Sequence, residues 1–147
     1  MLIKMRIRHF KCLSSELKNA LIELWEQSVR ASHHFLTEED ISKIKQYLNG
    51  DEAFIRIEFL FIYENNEFVG FLGFCQTSIQ MLFIHPNFFR KNYGTSLVNF
   101  AITHFELDKI EVNLDNEKAL KFYEKLGFQI YDRYVDEFGF VLLKMKR

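Results

Sequence analysis

The chain has 147 residues, 48% of them hydrophobic and 27% charged, and its 19 Lys and Arg against 20 Asp and Glu leave a formal net charge of −1. That is the size of one domain, residues 1–147, with a core large enough to need no disulfide or metal staple. A nucleic-acid binder that works by neutralising phosphates would be far more basic, and the longest apolar runs are far short of the roughly 20 residues that cross a bilayer.

Residues 3–8 alternate, Ile3, Met5 and Ile7 against Lys4, Arg6 and Arg8, which predicts a strand with one buried face. Ser14 or Ser15 caps a helix with Leu17, Leu21, Leu24, Trp25 and Val29 on its inner side, ending near Ala31. Thr37 caps a second helix, with Ile41, Ile44 and Leu48 inward and Gly50 as its stop. Residues 51–58 read as a short helix or irregular lead-in. Residues 59–63 and 68–74 are β-rich and flank Asn65-Asn66, a pair that tolerates the positive φ of a hairpin turn. Gly70 and Gly73 inside the second run predict a bulge or a close backbone approach. Ile79 to Ile84 forms another strand, ended by His85-Pro86. A basic loop leads to a helix opened by Gly94, with Leu97, Val98, Ala101, Ile102 and Phe105 inward. Ile110, Val112 and Leu114 alternate as a strand. Asp115 or Asn116 then caps a helix carrying Ala119, Phe122, Tyr123 and Leu126, with Gly127 just past its end. Two closing strands, near 128–135 and 138–145, turn at Asp136-Glu137.

A strand–helix–strand step inside a mostly antiparallel set predicts an α/β (α+β) fold: a mixed sheet of about seven strands with helices on both faces. Cys12 and Cys75 are far apart and fit no metal-ligand pattern, so two free thiols in a cytoplasmic protein are expected. No metal, nucleic-acid or membrane partner is expected, and the chain reads as a monomer or homodimer.

Two segments carry chemistry. Phe83 to Leu97 is a strand, a loop with Arg90 and Lys91, and a helix start; free N–H groups at such a start form a nest for phosphate. Asn113 to Phe128 contains Asn116-x-x-Ala119-x-x-Phe122-Tyr123-x-x-x-Gly127-Phe128, which resembles the closing motif of the GNAT-type N-acetyltransferases. The element order and the stretches Trp25-x-x-Ser28, Ala31 to Leu36 and Asp136-x-x-Gly139 are also similar to small bacterial members.

The resemblance implies an enzyme that moves an acetyl group from acetyl-CoA to a primary amine of a small molecule or peptide, by direct attack in a ternary complex. It implies that backbone groups of Leu82, Phe83 and Ile84 pair with the pantetheine arm. N–H groups of Arg90, Lys91, Asn92, Tyr93, Gly94 and Thr95 would hold the pyrophosphate, and Asn113 and Asn116 would reach the pantetheine. The family signature Gln/Arg-x-x-Gly-x-Gly/Ala is altered here: Phe89 and Asn92 replace its first and fourth residues. Asn tolerates positive φ better than other non-glycine residues, so the loop is expected to keep its shape.

Attack on the thioester builds an oxyanion, which an N–H near Phe83 would stabilise, and Tyr123 would protonate the departing thiolate. Trp25, His33, His34 and Phe35 are candidates for the acceptor site, with either histidine as a possible base, since Gln80 stands where many relatives place a Glu. The competing readings are a non-catalytic acyl-CoA-binding regulatory module and a toxin that acetylates aminoacyl-tRNA.

Overall fold

A computed structural model describes residues 2–147. Strands β1 (Met5–Phe10), β2 (Glu58–Glu64), β3 (Glu67–Cys75), β4 (Ser78–Ile84), β5 (Lys109–Asn113), β6 (Gln129–Val135) and β7 (Val141–Lys146) form one sheet in the order β1-β2-β3-β4-β5-β7-β6. The β4–β5 pair alone is parallel. Helices α1 (Ser15–Ser32) and α2 (Glu38–Asn49) pack on one face; α3 (Tyr93–Phe105) and α4 (Glu117–Lys125) pack on the other.

Local chemistry starts and stops these elements. The Ser14 hydroxyl accepts from Leu17 N–H at the head of α1. Thr37 and Asp40 exchange side-chain and backbone bonds in a capping box at α2. Asn65 and Asn66 take φ of 50° and 70°, the mirror-image turn that suits a twisted hairpin. Gly70 marks a close approach, since a Cβ there would stand 2.5 Å from the Ile84 side chain. Each face has its own core. Phe59, Phe61 and Phe71 pack with Leu21, Trp25 and Ile41 beneath α1 and α2. Leu60, Leu72, Ile79, Leu97 and Phe128 pack beneath α3 and α4.

Three boundaries differ from expectation. The first strand starts at Met5 and reaches Phe10, and Ile3 and Met5 are exposed. The cause is position: β1 is an edge strand, so only Ile7 and Phe10 reach a core. β5 stops at Asn113, leaving Leu114 exposed. The last strand begins at Val141 instead of 138, because Asp136 folds residues 136–140 into a turn.

One irregularity positions everything that follows. On β4, Ile79 pairs with Phe74 and Met81 with Gly73, so Gln80 is an extra residue with no partner on β3. A bulge bends its strand and raises the local twist. Parallel pairing with β5 stops at the same place, after Ser78–Lys109 and Ile79–Ile110. From Gln80 onward β4 and β5 diverge, and the sheet is split.

Candidate active site

The split exposes one edge of β4. Hydrogen bonds in an antiparallel ladder join directly opposite residues at every second position. His85 N–H donates to Val69 O at 2.8 Å, and the register from Gly70–Ile84 to Gly73–Met81 is unbroken. Phe83 therefore turns its N–H and C=O to β3, whereas Leu82 and Ile84 turn theirs to the open edge. This corrects the expectation for Phe83: its amide cannot serve a ligand in the split, and its side chain lines a cavity on the α1–α2 face.

At the end of β4, a short turn at Pro86–Phe88 leads into α3. Arg90 and Asn92 both adopt left-handed backbone, with φ of 65° and 63°. Asn92 takes the conformation anticipated for it. The left-handed backbone of Arg90 follows from a tight loop and left no trace in the residue type. Among the described residues, no acceptor meets the N–H groups of Arg90, Lys91, Asn92, Tyr93, Gly94 or Thr95. Free amides at the head of a helix are an arrangement suited to an anion. Lys91 does not point its charge freely at these amides: its ammonium lies 3.4 Å from Glu64 and 5.2 Å above the Phe88 ring. The buried Tyr93 hydroxyl also donates to Glu64, which anchors the loop to β2. Gly94 sits beside Phe122 and Leu82, and a Cβ there would make ordinary contacts of 3.6 and 3.8 Å.

Tyr123 lies on the α3–α4 face, 4% exposed, with its ring against Phe122 and Phe128. Burial pushes its phenol well above the ordinary range, so it stays protonated. Its hydroxyl has no partner among the described residues, yet no fully enclosed side-chain oxygen or nitrogen there lacks one. The hydroxyl therefore keeps contact with open space.

The cavity on the opposite face holds about 240 Å³. α1 contributes Trp25 and Val29; α2 contributes Ile44 and Leu48; β4 contributes Gln80, Met81 and Phe83. Asn113 closes it from β5, and Asp136, Phe138 and Phe140 close it from the β6–β7 turn. Tyr47 stacks edge-on against Phe138 at 5.7 Å and joins that turn to α2. Of the acceptor-site candidates, Trp25, His33 and Phe35 line the cavity; His34 is exposed and does not. The turn residues Asp136, Phe138 and Phe140 were not anticipated as lining. Two large rings within a hairpin turn were the signal, because solvent-exposed turns rarely carry them.

His33 links the two helical layers. Ser32 Oγ–H donates to Ser28 O at 2.8 Å, so Ser32 Oγ accepts from His33 Nδ1–H, also at 2.8 Å. The other ring nitrogen, Nε2, then accepts from Asn116 Nδ2 at 3.1 Å, while Asn116 Oδ1 caps α4 through Ala119 N–H. Burial, with a smaller contribution from His34, lowers the His33 pKa to about 4. His33 is thus a neutral bridge whose basic nitrogen is already occupied. Asn113 and Asn116 serve the same region: Asn113 Oδ1 accepts from Asp115 N–H, and Asn113 O from Asn116 N–H.

A family model described as an acetyltransferase (GNAT) domain matches residues 21–147. A peptidyl-lysine N-acetyltransferase, YjaB of Salmonella typhimurium, is 30% identical over 122 residues, 81% of this chain and 82% of that protein. The solution structure of the apo form of YjaB from Escherichia coli superposes with a TM-score of 0.78 at 26% identity, covering 99% of this chain and 97% of that one. The PaiA N-acetyltransferase of Thermoplasma acidophilum, solved with coenzyme A, has the same fold at a TM-score of 0.68 and 22% identity, over the full length of both chains.

Proposed function

This chain belongs to the GNAT acetyltransferase family, and we propose that it transfers the acetyl group of acetyl-CoA directly to a primary amine seated in the α1–α2 cavity. It is an acyltransferase with acetyl-CoA as cosubstrate. The observation that carries the finer reading is the split sheet, with a phosphate nest at one end, a protonated phenol on one face and an apolar cavity on the other. The regulatory-module reading loses its ground once the chain belongs with enzymes, and a net charge of −1 gives the tRNA reading no support. Two free cysteines suit a cytoplasmic setting.

The residues fit the cosubstrate. Leu82 and Ile84 offer unpaired N–H and C=O groups along the split, as an edge strand does to an added peptide-like arm. The amides from Arg90 to Thr95 fit a pyrophosphate. When bound, acetyl-CoA supplies a thioester carbonyl open to attack by an amine. The N–H of Leu82 or Ile84 is the donor available to the carbonyl oxygen as it gains charge, a role first expected near Phe83. Tyr123 Oη holds the proton that the departing sulfur needs. Burial holds the phenol protonated, and burial would raise the pKa of a thiol beside it in the same sense. The acceptor ammonium, with an ordinary pKa near 10.4, gives its proton to water, because His33 Nε2 is engaged with Asn116. No covalent enzyme intermediate is needed.

Release of coenzyme A in the presence of a lysine-containing peptide and a set of alkylamines tests this. Tyr123→Phe should lower kcat by about 10²–10⁴-fold, with acetyl-CoA affinity and Tm nearly unchanged, since no described residue hydrogen-bonds the hydroxyl. A melted variant with unaltered turnover per folded molecule would make the hydroxyl structural.

A further inference from the structure

On the acetyl-transfer reading above, we propose that Asp136 recognises the acceptor's ammonium group, and that the acceptor is a primary amine on an apolar stem. The turn between β6 and β7 explains part of this residue. Asp136 Oδ1 accepts from the N–H groups of Phe138 and Phe140, both at 2.9 Å, and Gly139 completes the turn at φ 87°. That task uses one oxygen, and a neutral Asn would perform it equally well. Oδ2 has no hydrogen-bond partner among the described residues, and Asp136 lines the cavity.

The other polar groups there carry no charge. Gln80 and Asn113 are amides, and His33 is held neutral with its proton on Nδ1. An amine entering as the cation that prevails at neutral pH meets a single full negative charge. Two backbone bonds already fix that carboxylate, so little freedom is lost when it accepts a third. A charge-assisted hydrogen bond of this kind is about twice as strong as a neutral one.

The remaining wall selects the stem. Trp25, Phe35, Phe138 and Phe140 present rings, and Val29 and Leu48 present aliphatic surface. The volume of about 240 Å³ exceeds the roughly 150 Å³ that accommodates a benzene ring. It takes a lysine side chain or one aromatic ring with a short arm. A sugar amine would leave several hydroxyls unpaired against these walls. A peptide lysine and a free alkyl or arylalkyl amine share the required chemistry. Docking selects the charged amine, and transfer follows once its proton has passed to water.

Asp136→Asn keeps the turn acceptor and removes the charge; Asp136→Ser provides a second uncharged variant with a shorter acceptor. Steady-state kinetics with a lysine-containing peptide, with phenethylamine and with glucosamine are compared, alongside calorimetry with acetyl-CoA. Both variants are expected to raise KM for the peptide or phenethylamine, or both, about ten- to hundredfold, with kcat within about threefold. Acetyl-CoA affinity and Tm should hold, and glucosamine should be poor throughout. A lower KM for the peptide than for phenethylamine identifies a protein acceptor, and the reverse identifies a free amine. An unchanged KM in a folded variant, or preference for glucosamine, overturns the proposal. So does a wild-type protein that binds acetyl-CoA but acetylates none of these amines, whereas failure to bind acetyl-CoA overturns the acetyl-transfer reading itself.

Discussion

His33 has a hydrogen-bond partner on each ring nitrogen and a pKa lowered by burial from 6.5 to about 4. Between those values the unfolded chain holds a proton that the folded chain does not, so the native state loses stability as pH falls through that window. Removing the imidazole removes that dependence. The stability lost between pH 7 and pH 4.5, from urea midpoints, should be smaller in His33→Gln than in the parent by about 1–3 kcal/mol. Parallel profiles would mean that His33 titrates like a surface residue. Legibility differed sharply among residues of this kind. Tyr123 stood out because its motif spans one helix and its two caps, all local in sequence. His33 was visible as a histidine near the acceptor site, but its neutral, bridging state depends on Asn116, 83 positions away. Asp136 was visible as a turn former and as part of Asp136-x-x-Gly139, but nothing local reveals that the turn closes a cavity built by α1, α2 and β4.

At the scale of elements, the nest at the head of α3 and the bulge in β4 cooperate. The bulge opens the split, and the nest closes its far end with free amides. Asn92 supports the nest through left-handed backbone, for which a β-branched residue is poorly suited. Calorimetry with acetyl-CoA should find Asn92→Gly equal to or tighter than the parent, because glycine reaches positive φ freely. Asn92→Val should bind about tenfold more weakly, from a strain of about 1–2 kcal/mol. Equal affinity in all three proteins would contradict the nest. Helix starts at Ser14, Thr37 and Asn116 were readable because a cap lies within three residues of the amide it satisfies. The Gln80 bulge was not readable, since it is a register shift between the Gly73–Met81 and Phe74–Ile79 pairs, which join two different strands. The first strand was placed too early for a related reason: alternation at Ile3 and Met5 promises burial, but burial needs a neighbouring layer, and β1 is at the edge.

Across the whole molecule, the sheet separates two chemistries. Tyr123 belongs to the core beneath α3 and α4, and the acceptor cavity belongs to the core beneath α1 and α2. The split between β4 and β5 lies between them, with the His33–Asn116 bond tying α1 to α4. The order of elements was enough to foresee a mixed sheet with one parallel step, because short connections leave few topologies open. It was not enough to foresee where that step would come apart. The central claim is that acetyl donor and amine occupy the two sides of the split at the same time. Initial rates measured over crossed concentrations of acetyl-CoA and a lysine-containing peptide or an alkylamine test it most directly. Reciprocal plots that intersect are the predicted result, since both substrates must be bound before either product leaves. Parallel lines, with a labelled acetyl group left on the protein when the amine is omitted, would show a covalent acetyl-enzyme and contradict the account.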